Sequence, residues 1–310
     1  MTDGTSSEAA TRSRDLAGKT AIVTGANSGI GFHVAQALAS RGAATVLAVR
    51  DPVKGARAAA AIGAAYPDAR VRCEDLDLDS LAAVADFAGR WTGPLDILVN
   101  NAAVMALPAR ETTADGFERQ IGVNYLAHFA LTGRLSGALN AAPNGGRVVN
   151  VASLAHRRAV LRLDDLQSQA AYSPAGAYRQ SKLAMLMFSL ELHRRSQAHG
   201  WALRAFAAHP GWARTNIIPN GPGRAGRGIK VRLMQALFGL AAQSARDGAL
   251  PIVFAATAPD AEPGGYYGPD GRNERRGPPA PAAVFPQARD RQAAAALWTV
   301  SEALTGVTFG

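Results

Sequence analysis

Cysteine, lysine and long apolar runs are scarce in this chain of 310 residues. The single cysteine, Cys73, excludes an internal disulfide framework and a zinc site built from cysteines. The longest uncharged stretch, residues 20–40, is interrupted by glycine and polar residues, so the sequence predicts no membrane span. Residues 1–17 are polar and contain no apolar core of the kind found in signal peptides. We therefore expect a flexible N-terminal tail over 1–17 and a cytoplasmic protein.

Charge is distributed unevenly along the chain. The formal net charge is +9, and the basic excess falls in residues 156–310, where a basic cluster over 224–232 contains no acid. Such a cluster is either a solvated surface or a site for an anionic ligand. No helix-turn-helix, zinc-finger or RNA-recognition pattern accompanies it, so we expect no nucleic-acid partner and no metal site. Only four basic residues are lysines, namely Lys19, Lys54, Lys182 and Lys230.

Short apolar segments alternate with helical ones over most of the chain. This alternation predicts an α/β fold: a single Rossmann-type domain over 18–310, with a doubly wound parallel sheet of about seven strands and helices on both faces. Glycine and proline are frequent in two other segments. We interpret residues 212–232 as a substrate loop and residues 259–310 as an irregular C-terminal segment. The predicted strands cover residues 20–24, 44–49, 71–76, 95–99, 147–151, 203–208 and 266–267.

A glycine-rich turn over 24–31 links the first predicted strand to the first helix. Gly25 permits a tight turn, while Gly29 and Gly31 let the backbone approach a pyrophosphate and let the helix pack on the sheet. The N-terminus of the helix then offers unpaired N–H groups to the anion. The turn predicts a dinucleotide site, with Asn27, Ser28 and Ile30 completing its loop.

A second motif places a tyrosine and a lysine on one helical face. Tyr178 and Lys182 stand at i and i+4, so the phenol and the ammonium can point into one site. A neighbouring ammonium lowers the pKa of a phenol from its ordinary value of about 10, which suits proton transfer. Ser153 follows the fifth predicted strand, at the edge where parallel sheets bind ligands. Asn124 lies within a helix, where asparagine is a mediocre helix former.

Together these motifs resemble the short-chain dehydrogenase/reductase family, in its non-extended branch, whose cofactor loop has the TGxxxGxG spacing of residues 24–31. The resemblance implies a catalytic tetrad of Asn124, Ser153, Tyr178 and Lys182. In it tyrosine is the general acid or base, serine orients the substrate carbonyl, lysine tunes the tyrosine and holds the nicotinamide ribose, and asparagine anchors a water. The other cofactor contacts that the resemblance implies are Asp77, Leu78, Asn101, Ala102, Ala103, Pro210, Gly211 and Thr215, together with Tyr178 and Lys182. Ala103 departs from the family's NNAG motif, which has glycine there.

The residue that ends the second strand bears on the cofactor preference. An acid at this place binds the ribose of NAD, whereas an arginine accepts the 2′-phosphate of NADP. Arg50 occupies the place and Asp51 follows it. We expect NADP(H), and NAD(H) remains possible if Asp51 points inward.

The long insertion between Ser153 and Tyr178, with segments 50–55 and 264–267, resembles the retinol-dehydrogenase-like and WW-domain-oxidoreductase-like group. That resemblance implies interconversion of a carbonyl and an alcohol on a small hydrophobic substrate. The predicted substrate contacts are Ser153, His156, Tyr178 and Trp212, although His156 could instead be an ordinary loop histidine.

Two further alternatives stay open from the sequence. The family often forms homodimers or homotetramers, and the apolar residues 183–190 could supply an interface or could belong to the core. A catalytically silent dinucleotide sensor or scaffold would share the fold, but such proteins typically lose the tyrosine or the lysine, and both are present here.

Overall fold

A computed structural model describes residues 14–213 and 242–310 of the protein. Thr215, the basic cluster over 224–232 and most of the predicted substrate loop lie outside these residues. The predicted contact of Thr215 with the cofactor therefore remains a prediction.

The described residues form one sheet of eight strands in the order β3-β2-β1-β4-β5-β6-β7-β8. All neighbouring strands pair in parallel except β8, which runs antiparallel to β7. The predicted Rossmann-type fold is confirmed, with one strand more than the seven expected. The strands are β1 (Thr20–Thr24), β2 (Ala44–Val49), β3 (Val71–Asp75), β4 (Ile97–Asn100), β5 (Arg147–Val151), β6 (Arg204–Ala208), β7 (Tyr266–Pro269) and β8 (Pro279–Pro281). The extra strand escaped prediction because prolines at two of its three positions are unusual within a sheet.

Helices cover both faces of the sheet and enclose two apolar clusters. They are α1 (Gly29–Ser40), α2 (Pro52–Ala65), α3 (Leu81–Gly89), α4 (Arg119–Ile121), α5 (Ala127–Arg134), α6 (Ser136–Asn140), α7 (Pro174–His199), α8 (Ala245–Thr257) and α9 (Arg291–Thr305). Helices α1, α2 and α8 pack on one face, and α3, α5, α7 and α9 pack on the other. None of the helices in the described part of the chain is both long and apolar enough to cross a bilayer.

The domain begins earlier than predicted. Leu16 is buried, and its backbone N–H donates to the carbonyl of Arg41 at 3.0 Å. Asp15 forms an ion pair with the Arg41 guanidinium. Residues 14–17 are thus anchored to the end of α1, and the prediction of a free tail up to residue 17 was wrong for this portion.

The C-terminal segment 259–310 is also more regular than predicted. It contains β7, β8 and the 15-residue helix α9. Asp290 caps α9 by accepting the N–H of Ala293 at 2.9 Å, and Gly306, with φ of 65°, ends it. These are ordinary cap signals, which the proline-rich stretch before the helix obscured.

Helix α9 decides the role of residues 183–190. Leu183 to Ser189 are buried, and α9 packs directly on α7. Trp298 of α9 lies 5.8 Å from Phe188 and 5.1 Å from Phe129, measured between ring centroids. The chain covers this apolar face with its own helix, so these residues form core rather than a free interface.

Replacing Trp298 with alanine tests how much this covering stabilises the fold. The indole is 1% exposed, and its removal leaves a large cavity between α7 and α9. We expect the free energy of unfolding, measured by urea denaturation, to fall by about 3–5 kcal/mol. Thr299→Ala, on the exposed side of the same helix, should change it by less than about 0.5 kcal/mol. Equal effects of the two substitutions would contradict this account.

Candidate active site

A cleft of about 870 Å³ opens at the carboxyl ends of strands β1 to β6. This edge contains the topological switch point between β1 and β4, from which the strand order runs outward in both directions. Most of the predicted site residues line the cleft, namely Gly25, Asn27, Ser28, Gly29, Ile30, Gly31, Arg50, Asp77, Leu78, Asn101, Ala102, Ala103, Ser153, Tyr178, Lys182, Pro210, Gly211 and Trp212. The fold thus brings together motifs that are widely separated in the sequence.

The glycine loop is shaped for close approach of a ligand. Gly25 and Gly29 have φ of 66° and 59°, in the left-handed region that favours glycine. A Cβ on Gly31 would lie 2.4 Å from Nδ2 of Asn101 and 2.7 Å from the carbonyl oxygen of Gly25. The side chain of Ser28 does not cap α1, so it does not block the N–H groups of the first turn. The loop therefore fits the pyrophosphate of a nicotinamide dinucleotide.

The Thr24 hydroxyl joins the glycine loop to the neighbouring strand. Its Oγ1 accepts the backbone N–H groups of Asn101 and Ala102, both at 2.9 Å. Nδ2 of Asn101 in turn donates to the Thr24 carbonyl at 2.8 Å. These bonds hold the glycine loop and the loop that begins at Asn101 in a fixed relative position. The sequence analysis assigned no role to Thr24.

A buried histidine completes this junction. Nδ1 of His128 lies 3.1 Å from the Asn124 carbonyl oxygen, and its Nε2 lies 2.9 Å from Oγ1 of Thr24. A carbonyl only accepts, so Nδ1 carries the proton and Nε2 accepts from Thr24. Burial lowers the pKa of His128 to about 3, which keeps the ring neutral. The i, i+4 spacing from Asn124 is the sequence signal that could have pointed to His128.

Asn124 lies in a π-helical turn, Gly122–Leu126, between α4 and α5. Its side chain bonds both backbone groups of Val104, with distances of 2.8 and 2.9 Å. Its Nδ2 also donates to Oγ of Ser181, which donates to the carbonyl of Tyr178. Asn124 does not line the cleft, so in this structure it anchors the turn of α7 that carries Tyr178. Irregular helical turns of this kind are frequent at functional sites.

The remaining tetrad side chains meet at the end of β5. Nζ of Lys182 donates to the carbonyl of Val151 at 2.8 Å, and burial lowers the pKa of this lysine to about 8. The Tyr178 hydroxyl hydrogen-bonds the Ser153 side chain, which lowers the phenol pKa, but burial has the larger effect and raises it. The expectation of a lowered pKa at Tyr178 was therefore wrong in sign here. Burial outweighs the hydrogen bond with Ser153, and the Lys182 ammonium is directed to the Val151 carbonyl.

The two predicted substrate residues outside the tetrad differ in placement. Trp212 lines the cleft, as the sequence predicted. His156 is fully buried with its Nδ1 2.7 Å from the Ser153 carbonyl oxygen, and it does not line the cleft. The prediction of a substrate contact at His156 was wrong, because the 3₁₀ turn Leu154–Arg158 directs this side chain into the core.

Basic residues surround the end of β2. The Asp51 carboxylate caps α2 by accepting the N–H of Lys54 at 3.0 Å, and it pairs with Nζ of Lys54 at 2.8 Å. A second recess of about 530 Å³ adjoins the glycine loop and is lined in part by Lys54 and Arg57. The cations here include Arg50, Lys54 and Arg57, and the carboxylate of Asp51 is already paired.

Comparison with known proteins identifies the family. The family model described as short chain dehydrogenase matches residues 19–221. The chain belongs to the short-chain dehydrogenase/reductase family. Retinol dehydrogenase 13 of Mus musculus is 41% identical over 301 residues, covering 95% of this chain and 86% of that protein. Polyprenol dehydrogenase of Mus musculus is 39% identical over 300 residues, covering 94% and 85%. These relatives assign this short-chain dehydrogenase/reductase to the retinol-dehydrogenase-like group.

Solved structures agree with the assignment. A protein from Mycobacterium paratuberculosis superposes on this short-chain dehydrogenase/reductase with a TM-score of 0.79 at 40% identity, covering 95% of this chain and 96% of that one. A protein from Beutenbergia cavernae, described as an NAD(P)-dependent gluconate 5-dehydrogenase with bound NADP at low occupancy, gives a TM-score of 0.61 at 28% identity, covering 79% and 91%. The family binds nicotinamide dinucleotides, in agreement with the shape of the glycine loop.

Substitution of Gly31 by alanine tests the assignment of the glycine loop. The added methyl group would overlap Asn101 and the Gly25 carbonyl, so the loop must move. We expect the dissociation constant for NADPH, measured by fluorescence titration, to rise at least about tenfold, equivalent to about 1.4 kcal/mol. Gly63→Ala is the matched control, since a Cβ at this helical position meets nothing within 4 Å. Unchanged NADPH affinity in Gly31→Ala would refute the assignment.

Proposed function

We propose that this protein is an NADP(H)-dependent oxidoreductase that interconverts a ketone or aldehyde and the corresponding alcohol on a small hydrophobic substrate. The observation that carries the proposal is the shared cleft, where Ser153, Tyr178 and Lys182 adjoin the glycine loop. The retinol and polyprenol dehydrogenases among its relatives support chemistry on a CH–OH group.

The bound nicotinamide supplies or accepts the hydride. In the direction of reduction, the Ser153 hydroxyl holds the carbonyl oxygen of the substrate, and Tyr178 donates a proton to that oxygen as the carbonyl carbon is reduced. The raised pKa of Tyr178 keeps the phenol protonated at neutral pH, which suits this role. The Lys182 ammonium on the same helical face stabilises the phenolate that remains. Oxidation is the reverse: the phenol first loses its proton to solvent, and the resulting phenolate then accepts the proton from the alcohol.

The preference for NADP(H) rests on charge at the end of β2. Arg50 lines the cleft there, and Lys54 and Arg57 add positive charge in the adjoining recess. The carboxylate of Asp51, which could favour NAD, is engaged by Lys54 and by the N-terminus of α2. A charge-assisted hydrogen bond to the 2′-phosphate would contribute about 1.5–3 kcal/mol, or about 10- to 150-fold in affinity.

The proposal of a hydrophobic substrate is supported by apolar side chains in the lining of the cleft. They include Val104, Met105, Leu107, Leu154 and Trp212. Retinol and polyprenols, the compounds for which the curated relatives are named, are long apolar alcohols. An apolar wall with a few polar groups is the ordinary design of a small-molecule site.

Replacing Tyr178 with phenylalanine tests the reaction. The variant keeps the ring and loses the proton donor, so turnover with NADPH and a panel of hydrophobic aldehydes should fall about 10²- to 10⁴-fold. The dissociation constant for NADPH should stay within about threefold. Tyr66→Phe, at the end of α2, serves as control and should keep full turnover. Undiminished turnover in Tyr178→Phe would reject the proposed role, and NADPH binding without any turnover by the unmodified protein would indicate the silent sensor.

Replacing Arg50 with aspartate tests the cofactor preference. Loss of the cation and gain of a carboxylate should weaken NADPH binding by about 10- to 150-fold or more, while NADH binding changes little. Titration of both dinucleotides measures the difference. Arg70→Asp, at the opposite end of the sheet, should leave both affinities unchanged. An equal loss of NADPH and NADH affinity in Arg50→Asp would contradict the assignment.

A further inference from the structure

An ionic cluster lies behind the cleft and has no part in the mechanism above. Oε2 of Glu274 accepts from Nε2 of His209 at 2.8 Å and from Nη2 of Arg157 at 2.7 Å. Its Oε1 accepts the backbone N–H of Ala283 at 3.1 Å. Burial opposes ionisation, but these hydrogen bonds and the positive charge of Arg157 lower the pKa of Glu274 to about 2. The carboxylate is therefore ionised and fully engaged.

The two side chains that bind Glu274 belong to different segments of the cleft wall. Arg157 lies in the 3₁₀ turn that begins directly after Ser153, and residues 153–155 line the cleft. His209 directly follows β6 and precedes Pro210 and Gly211, which also line it. One carboxylate thus joins the segment that carries the substrate-orienting serine to the Pro210–Gly211 turn.

Hydrogen bonding assigns the proton on the His209 ring. Nδ1 accepts the backbone N–H of Gly211 at 3.1 Å, so the proton of the neutral ring must be on Nε2, which donates to Glu274. The ring is fully buried, and burial lowers its pKa. The carboxylate thereby fixes the orientation of the ring that holds the Gly211 turn, much as a carboxylate orients a catalytic histidine in other enzymes.

The backbone around Glu274 is specialised for this contact. Asn273 and Glu274 have φ of 57° and 56°, a conformation that is uncommon for residues other than glycine. Consecutive residues of this kind persist only where the surroundings hold them, and they concentrate at functional sites. A Cβ on Gly211 would lie 2.4 Å from the carbonyl oxygen of Arg275, so the Gly211 turn packs directly on this segment.

We propose that Glu274 is a positioning residue for the reaction. It holds the Ser153 segment and the Pro210–Gly211 turn in one fixed relation by binding Arg157 and His209 at the same carboxylate. Other polar groups near the cluster, among the described residues, include the Asn273 carbonyl, which accepts from Arg157 at 3.4 Å, and His156, which bonds the Ser153 carbonyl. The Tyr266 hydroxyl lies 3.4 Å from the His156 ring. The inference about turnover rests on the function proposed above, whereas the link between the two segments does not.

The test uses Glu274→Gln, which keeps the size of the side chain and removes its charge. We expect kcat/KM for aldehyde reduction to fall roughly tenfold, the scale of one charge-assisted hydrogen bond, while the dissociation constant for NADPH stays within about threefold. The second readout is the NMR chemical shift of the Nε2 proton of His209, assigned by its absence from a His209→Gln sample. This signal should lie strongly downfield in the native protein and should move upfield in Glu274→Gln. The control is Glu262→Gln, which changes an exposed acid before β7. It should change neither kcat/KM nor the chemical shift of the His209 ring proton.

A second variant, Arg157→Gln, separates the two arms of the link and keeps the test decisive if Glu274→Gln does not fold. Arg157→Gln should lower kcat/KM and leave the NMR signal of the His209 Nε2 proton at its downfield position. Because both side chains act through one carboxylate, the double variant should lose little more than Glu274→Gln alone.

Three results would overturn the proposal: unchanged kcat/KM in either folded variant, additive losses in the double variant, or an unmoved His209 proton in Glu274→Gln. If the native protein reduces no carbonyl compound, the proposed function fails, and the His209 proton alone then decides whether Glu274 makes the link.

Discussion

The cofactor side of the cleft depends on one hydroxyl group. Oγ1 of Thr24, at the end of β1, receives two backbone N–H groups from the loop after β4 and hydrogen-bonds the ring of His128 on α5. A buried hydroxyl that uses its full hydrogen-bonding capacity fixes the distance between three elements at once. The glycine loop, the 101–103 loop and the π-helical turn with Asn124 all take their positions from this junction.

The sequence was sufficient where function is encoded locally. The glycine loop, Arg50 and the Tyr178–Lys182 pair are short motifs whose spacing carries their geometry, and all of them line the cleft. The prediction of a substrate contact at His156 was wrong because closeness to Ser153 in the sequence does not determine the direction in which a 3₁₀ turn points a side chain. The predicted direction of the pKa shift at Tyr178 was wrong because the burial of the phenol and the direction of the Lys182 ammonium both depend on tertiary packing.

Long-range contacts were beyond sequence reasoning for a related reason. Glu274 contacts Arg157 and His209 because the C-terminal segment packs against the sheet. No local sequence pattern predicts these long-range contacts. Helix α9 has ordinary caps, yet its role emerges only when Trp298 reaches Phe129 and Phe188. The C-terminal segment therefore does two things, covering α7 on one side and bracing the cleft on the other.

The short strand β8 has a consequence for the sheet as a whole. Pro279 and Pro281 stand at its two ends and lack the N–H group through which a further strand would bond. Open sheet edges are templates for unwanted association between chains, and prolines on an outer strand remove that hazard. The outermost strand β8 thus prevents a further strand from pairing with this edge of the sheet.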